Sequence, residues 1–452
     1  MNIATTTYKQ IQGWSWLKRI LGAVALLGFL SSSFLYLTPQ GTNIRMFLAN
    51  TVIETQHRDW AWIFVGAKKR DEMINAMGLM SDANAKEPQD LSAITIRKHE
   101  GQLTKVEDIS GHGWVGKKMY VYDPRALRVV VPNTVGQGER ITSMVQRTGA
   151  VAGVNGGGFD DPQGLGNGFA PVGVIMSGGK ILYTGVDGTV PQHVVAFTKE
   201  GKLVIGKYPI DQLLQMHVTD AVSFYPRVIA NGKALPIEGD GLNPRTAIGQ
   251  RADGVIILVV IDGRQPPYSI GATLKEVQDL LLAEGCINAG FLDGGASSEM
   301  VVNGQLITKP SSKYGERRLP SALLVFEHPD KIQVPNIWDG LTKIDPGGAY
   351  DNPDYIADIQ KQHANKPKST STPNPKASAT RTPEPTQAPG AIETPSPSPE
   401  GSMTPSPSVT PSVKPTVSPT PAVTPTGTPS VSPTPGATPG ETPTGTPSGK
   451  NK

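Results

Sequence analysis

The stretch that most constrains the fold is Val255–Met300, VIILVVIDGRQPPYSIGATLKEVQDLLLAEGCINAGFLDGGASSEM. Its opening run, Val255–Ile261, is apolar throughout and mostly β-branched, which suits a strand covered on both faces. Asp262-Gly263-Arg264 is a turn signal, and Thr273 with Glu276 has capping-box spacing at the start of a helix. Leu274, Val277, Leu281 and Leu282 recur at helical spacing, and Gly285 marks the stop. A second apolar run, Ile287–Leu292, ends at Asp293-Gly294-Gly295. Strand, helix and strand in this order predict a crossover joining two parallel strands. Asp262 and Asp293 are then expected at one sheet edge, where α/β sheets hold ligands. Asp-Gly alone is a common turn dipeptide. Two on one edge, the second followed by Gly295, Ser297 and Ser298, point to a site.

Around this unit the pattern is that of short strands and hairpins. Lys118–Tyr122, Leu127–Val131 and Ala150–Val154 are strand candidates, and so is the short β-prone stretch 93–96. Gly178-Gly179, Glu200-Gly201, Asn231-Gly232 and Asn303-Gly304 each separate apolar runs, as hairpin turns do. The expected class is α+β, with hairpin-rich mixed sheets and the crossover unit carrying the site. Asn155-Gly156-Gly157-Gly158-Phe159 follows a strand, and consecutive glycines there allow amides to converge on an anion. Arg245, in Asn243-Pro244-Arg245-Thr246-Ala247, enters another strand, and guanidinium groups suit phosphate. Arg317-Arg318 before Ala322–Phe326 is a second candidate. His193 opens a strand, by default a structural position, and is retained as a substrate-binding candidate.

Composition sets the outer limits. Of 41 prolines, more than half lie beyond Lys366, where no aromatic residue occurs, so residues 366–452 are expected to be a disordered Pro/Thr/Ser-rich tail reaching into a cell wall. Net charge +3, with no basic run interleaved with aromatics, gives no reason to expect nucleic acid. Cys286 is the lone cysteine, which excludes an internal disulfide and a thiolate metal cluster. Lys9, Lys18 and Arg19 precede the apolar run Ile20–Leu37, as in a membrane anchor whose N-terminal end stays in the cytoplasm. A cleaved signal peptide is the alternative, disfavoured by the length of the run and by Thr38-Pro39-Gln40. An amphipathic helix from Thr42 to about Gly66, a helix over Lys68–Leu79 and a loop over Ser81–Gln89 are expected to form a stalk, 38–90. The main domain is expected at 91–328, with a return segment at 329–365 before the tail.

Taken together and in order, several motifs resemble the phosphodiester glycosidase family. They are Asn155-Gly156-Gly157 with Phe159, Asn243-Pro244-Arg245-Thr246-Ala247, Asp262-Gly263-Arg264, Gly271, and Asn288 leading to Leu292-Asp293-Gly294-Gly295-Ala296-Ser297-Ser298. Arg318-Leu319-Pro320-Ser321-Ala322 closes the set. The resemblance spans roughly Leu91 to His328. Gly158 stands where a second aromatic is frequent, and Ala296 where a third glycine is frequent. The resemblance implies hydrolysis of a sugar-1-phosphodiester at the anomeric carbon, and its bacterial side implies cell-surface glycan or exopolysaccharide substrates.

On that reading Arg245 and Arg318 hold the phosphate, with Gly156, Gly157, Thr246, Gly294 and Gly295 lining it. Asp293 is the first choice for acid/base or nucleophilic work, with Asp262 and Glu299 as alternatives. Asn155, Ser297 and Ser298 hold hydroxyls and orient Asp293. No cofactor is required, although Asp160 and Asp161 leave room for one structural Ca²⁺. Two rivals stay open: a glycan-binding scaffold without chemistry, and cleavage on the phosphorus side.

Overall fold

A computed structural model describes residues 13, 15–97, 100–239 and 241–364. The expected tail and most of the expected cytoplasmic N-terminus lie outside the described residues. The strands that position the site are β1 (Ala152–Asn155), β2 (Arg245–Arg251), β3 (Ile256–Ile261), β4 (Cys286–Leu292) and β5 (Ala322–Val325). The N-terminal helices are α1 (Trp16–Leu37), α2 (Pro39–Ile53) and α3 (Ala67–Lys86), and the crossover helix is α4 (Leu274–Ala283).

Three sheets make up the β part. The first has seven strands, in the order Thr104–Gly111, Trp114–Val121, β3, β2, β4, Arg227–Ala230 and Lys233–Ala234. The second, of five strands, places β1 between Met300–Val302 and β5. The third, also of five, is built from the hairpins between 174 and 208 together with Val218–Val222.

The strand–helix–strand unit forms as the pattern requires. Thr273 Oγ1 accepts from Glu276 N at 3.1 Å, and Thr273 N donates to Glu276 Oε2 at 2.9 Å, closing the capping box. Gly285, at φ +79°, ends the helical path in a conformation that suits glycine. All six residues of β3 are buried because both faces are covered. Ile256, Leu258 and Val260 enter the main core, and Ile257, Val259 and Ile261 pack with α4 through Leu274, Val277 and Leu281.

The two strands run in parallel as expected, but they are not neighbours and the expected mixed sheets are antiparallel. Every ladder among the described residues is antiparallel, and β2 lies between β3 and β4. The short connection from Arg251 to Ile256 makes β2 and β3 a hairpin. The far edge of β3 is taken by Trp114–Val121, so β4 joins the open edge of β2. The expected geometry survives this change. An antiparallel neighbour on each side leaves β3 and β4 running in the same direction, so Asp262 and Asp293 leave at one edge. Arg245 enters there too, opposite Ile261, with Thr246 opposite Leu292.

The four expected hairpins form, and Asn231 and Asn303 both take positive φ (50°) beside their glycines. Three stretches differ from expectation. Residues 94–97 do not form a strand, although Thr95 N donates to Ala252 O. The amphipathic segment breaks after Ile53 and resumes as short turns over Arg58–Val65. The expected loop at 81–89 is largely the end of α3, held because Asn84 Nδ2 donates to Arg227 O and Pro236 O, at 3.3 and 2.8 Å. The N-terminal helices therefore pack on the β domain.

Candidate active site

Asn155 ties the first and second sheets together. It ends β1, is buried, and donates from Nδ2 to Asp293 O at 2.5 Å. Its Oδ1 accepts from Thr246 Oγ1 at 2.7 Å and from Glu299 N at 3.2 Å. A single amide thus fixes the start of β2, the turn after β4 and the segment behind it, because its donor and acceptor ends are separately satisfied.

Asp293 begins that turn. Its amide donates to Gly156 O, and its Oδ1 accepts from Gly294 N at 3.0 Å. Burial raises its carboxyl to about 6, against the lowering influence of a bond from Ser297, the Arg317 charge and the Gly294 amide. Gly295, at φ +62°, donates to Pro244 O, and a side chain there would press within 3.3 Å of the Arg264 guanidinium. Ser297 Oγ accepts from Arg317 Nη1 at 3.0 Å, whereas the buried Ser298 hydroxyl has no hydrogen-bond partner.

Two guanidinium groups, Arg264 and Arg317, stand at this turn, and a third, Arg245, acts on Arg264. Arg245 donates to Ala272 O, Gly241 O and Glu54 Oε2, at 3.0, 2.7 and 2.5 Å. Arg264 donates to Asn243 Oδ1 at 2.7 Å, and burial followed by repulsion from Arg245 and Arg317 holds it below its usual range. Arg317 pairs with Asp161 and lies 4.9 Å above the Phe159 ring. Like charges persist this close only beside anions. Glu54 supplies one, also accepting from Gly241 N and Asn243 Nδ2 at 3.2 Å each.

Several expected roles are redistributed. Arg318 does not turn to the site: its Nε lies 3.7 Å from Asp354, and Arg317 reaches Ser297 instead. The amides of Gly156, Gly157 and Gly158 are not open to an anion, because they donate to Ser321 O, Ser321 Oγ and Ser223 O. Glycine is needed here for close approach: a Cβ at Gly156 would fall 2.4 Å from Ser321 Oγ. Asp262 has both oxygens engaged, by Tyr268 Oη at 2.7 Å and Lys309 N at 2.9 Å, and burial raises its carboxyl.

Glu299 is fully buried with neither oxygen hydrogen-bonded, and burial and then Glu316 push it well up. His193 faces Asp82 Oδ1 at 2.8 Å, where Lys207 also binds. Asp161 is committed to Arg317, Gln56 and the Gly166 amide, and no group of three or more metal-ligating side chains occurs among the described residues. Arg264 and Glu54 were not among the site residues expected from sequence, and of the candidate pair Arg317-Arg318 the phosphate part was expected of Arg318. The Asp-Gly-Arg tripeptide was the available signal for the first, and Glu54 is too distant in the chain to give one.

Residues 148–326 match the family model for phosphodiester glycosidase. This chain carries a phosphodiester glycosidase domain. The domain's matched span includes every residue of the turn cluster except Glu54. An uncharacterized SPbeta prophage-derived protein of Bacillus subtilis, YomE, is 43% identical over 88 residues, covering 20% of this chain and 13% of that protein. The mouse N-acetylglucosamine-1-phosphodiester alpha-N-acetylglucosaminidase is 28% identical over 270 residues, covering 53% of this chain and 50% of that enzyme. The zebrafish catalytic domain of the same name, auto-inhibited by its pro-peptide, is similar at TM-score 0.44 and 23% identity, over 52% of this chain and 87% of that one. The chain thus spans half or less of these curated relatives' length.

Proposed function

We propose that the phosphodiester glycosidase domain hydrolyses a sugar-1-phosphodiester. Water adds at the anomeric carbon and the carbon–oxygen bond to phosphate breaks, leaving a free sugar and a phosphomonoester. The supporting observation is Arg317 and Arg264 beside Asp293, whose carboxyl sits near 6, with Arg245 next to Arg264. Fixed cations favour a phosphate leaving group, which needs little protonation. A carboxylate with a raised pKa can take a proton from water, or meet positive charge on the sugar ring, near neutral pH. In this reading Arg317 takes the phosphate-holding part expected of Arg318, and Asp262 and the glycine amides keep the loops in place. Glu299 remains an alternative proton carrier, and Asn155, Thr246 and Ser297 keep Asp293 oriented.

The reading extends to place. α1 has mean hydropathy 2.0 in its most apolar window and no buried residue there, consistent with an anchor that holds the domain outside the cytoplasm among cell-surface glycans. The test is incubation of the full chain with a panel of sugar-1-phosphodiesters, including one of N-acetylglucosamine, and identification of every product. Free sugar is expected. Sugar phosphate would transfer the reaction to phosphorus, and saturable binding without any product would leave a scaffold.

A further inference from the structure

The helical unit between α1 and the β domain has two faces. Its inner face reaches the site: the C-terminal end of α2 lies on the 241–245 segment, where Leu242 N donates to Thr51 Oγ1 and Glu54 meets Arg245. Gln56 Nε2 then donates to Asp161 Oδ2 at 2.7 Å. Its outer face is apolar and uncovered. On α2, Ile44, Phe47 and Leu48 are exposed at helical spacing, opposite buried Ala49 and Ile53. On the following turns Trp60, Trp62 and Ile63 are 60%, 55% and 52% exposed.

These turns fold back onto the end of α1. Arg45 donates from Nε to Leu35 O at 2.9 Å and from Nη1 to Phe64 O at 3.0 Å, with its guanidinium 4.5 Å from the Tyr36 ring. The Tyr36 hydroxyl lies 3.5 Å from Ile63 O. Ile63 and Phe64 are therefore level with the last turn of the apolar helix. If α1 crosses a bilayer, that level is the interface between hydrocarbon and headgroups. Tryptophan, tyrosine and arginine are the residues that favour such an interface. Ile44, Phe47 and Leu48 on α2 add exposed apolar area beside them.

We infer that this shoulder, Ile44, Phe47, Leu48, Trp60, Trp62 and Ile63, docks on the outer surface of the lipid bilayer, and that the site thereby takes sugar-1-phosphodiesters whose alcohol is a membrane-embedded lipid. The inference rests on the glycosidase reading for its substrate, and on α1 being an anchor for its partner. The distance suits it: α2 has 15 residues, so its rise is about 22 Å at 1.5 Å per residue, and the Arg245 end of the sheet lies within that reach of the anchor. A phosphodiester at the headgroup level needs no extraction from the lipid to meet the three arginines. Hydrolysis would release the sugar to water and leave the lipid phosphate in the bilayer.

The test uses the full chain inserted in vesicles of phosphatidylethanolamine and phosphatidylglycerol. Cys286 is buried, so a cysteine introduced by Ile63→Cys or, as a second position, Phe47→Cys can be labelled alone with an environment-sensitive fluorophore. Leu214→Cys, 43% exposed on Ile210–Gln215, is the control. Probes at 63 and 47 are expected to shift to the blue and to be quenched by nitroxide lipids, while the probe at 214 stays in water. The second arm compares hexadecyl and methyl N-acetylglucosamine-1-phosphodiesters. Trp60→Ala with Trp62→Ala is expected to lower kcat/KM about tenfold on the hexadecyl ester alone, as lost interfacial burial predicts.

Probes at 63 and 47 that remain in water overturn the docking surface, whatever is turned over. Equal losses on both esters overturn the lipid substrate. Probes in lipid with neither ester cleaved uphold the docking surface and reject the glycosidase reading.

Discussion

Asp262 and Asp293 occupy equivalent places, each one residue past a buried strand, at the same edge and followed by glycine. Their surroundings separate them. Asp262 is met by a phenol and a backbone amide, which use both oxygens to hold the 262–269 loop to Lys309. Asp293 is met by its own turn amide and a serine, under the charges of Arg317 and Arg264. Position alone does not distinguish them: Asp262 feels the charges of Lys117 and Lys309, and Asp293 those of Arg317 and Arg264.

The largest expected difference is in turnover. Asp293→Asn should lower kcat by about 10²- to 10⁴-fold, the usual range for loss of an acid or base. Asp262→Asn should retain activity within about tenfold and instead lose about 1–3 kcal/mol of stability, since a loop acceptor is weakened. Comparable loss of kcat in both variants, measured on one substrate, breaks the comparison.

The arginines give the next contrast. Arg317→Met should raise KM by about 10- to 100-fold, the equivalent of about 1.5–3 kcal/mol for a charged hydrogen bond. Arg318→Met, at the Asp354 side, should change it less than about threefold, like an exposed ion pair. A reversed order would restore the phosphate role expected of Arg318.

Next comes pH. The Asp293 carboxyl titrates near 6 when folded and near 3.8 unfolded. The folded state therefore binds the proton more tightly, and stability falls as pH rises through this window. If the ionised form acts on water or the sugar, kcat/KM should rise with pH through about 6. Asp293→Asn should abolish that limb and raise Tm at pH 7–8 more than at pH 4. A limb that survives the substitution belongs to another group, and the buried Glu299 carboxyl is the first to test.

The smallest effect concerns Glu54. Its removal by Glu54→Gln leaves Arg245 without its anion, which should lower Tm. Inorganic phosphate should then restore more Tm in the variant than in the parent, because the freed cation binds it. Equal restoration would mean that phosphate does not reach Arg245.

Much of the fold was legible in short-range pattern. The capping box at Thr273, the four hairpin turns and the two-sided burial of β3 depend on residues close in the chain, whose spacing states their geometry. That β2 stands between β3 and β4 was not legible, because an intervening antiparallel strand leaves no mark in either strand's own residues. The glycines at 156–158 were legible only as a loop whose amides could take an anion. What approaches them, Ser321 and Ser223 and not an anion, depends on packing across distant segments.

The sequence by itself determined that two carboxylates would reach one edge, since strand direction follows from local order and a crossover returns the chain the same way. Only the tertiary structure decided which cations stand near each carboxylate. Arg264 beside Gly295, Arg317 in place of Arg318, and Glu54 nearly 200 residues before Arg245 meet through side-chain reach and burial. Those are properties of the assembled packing, and adjacent residues in the chain do not carry them.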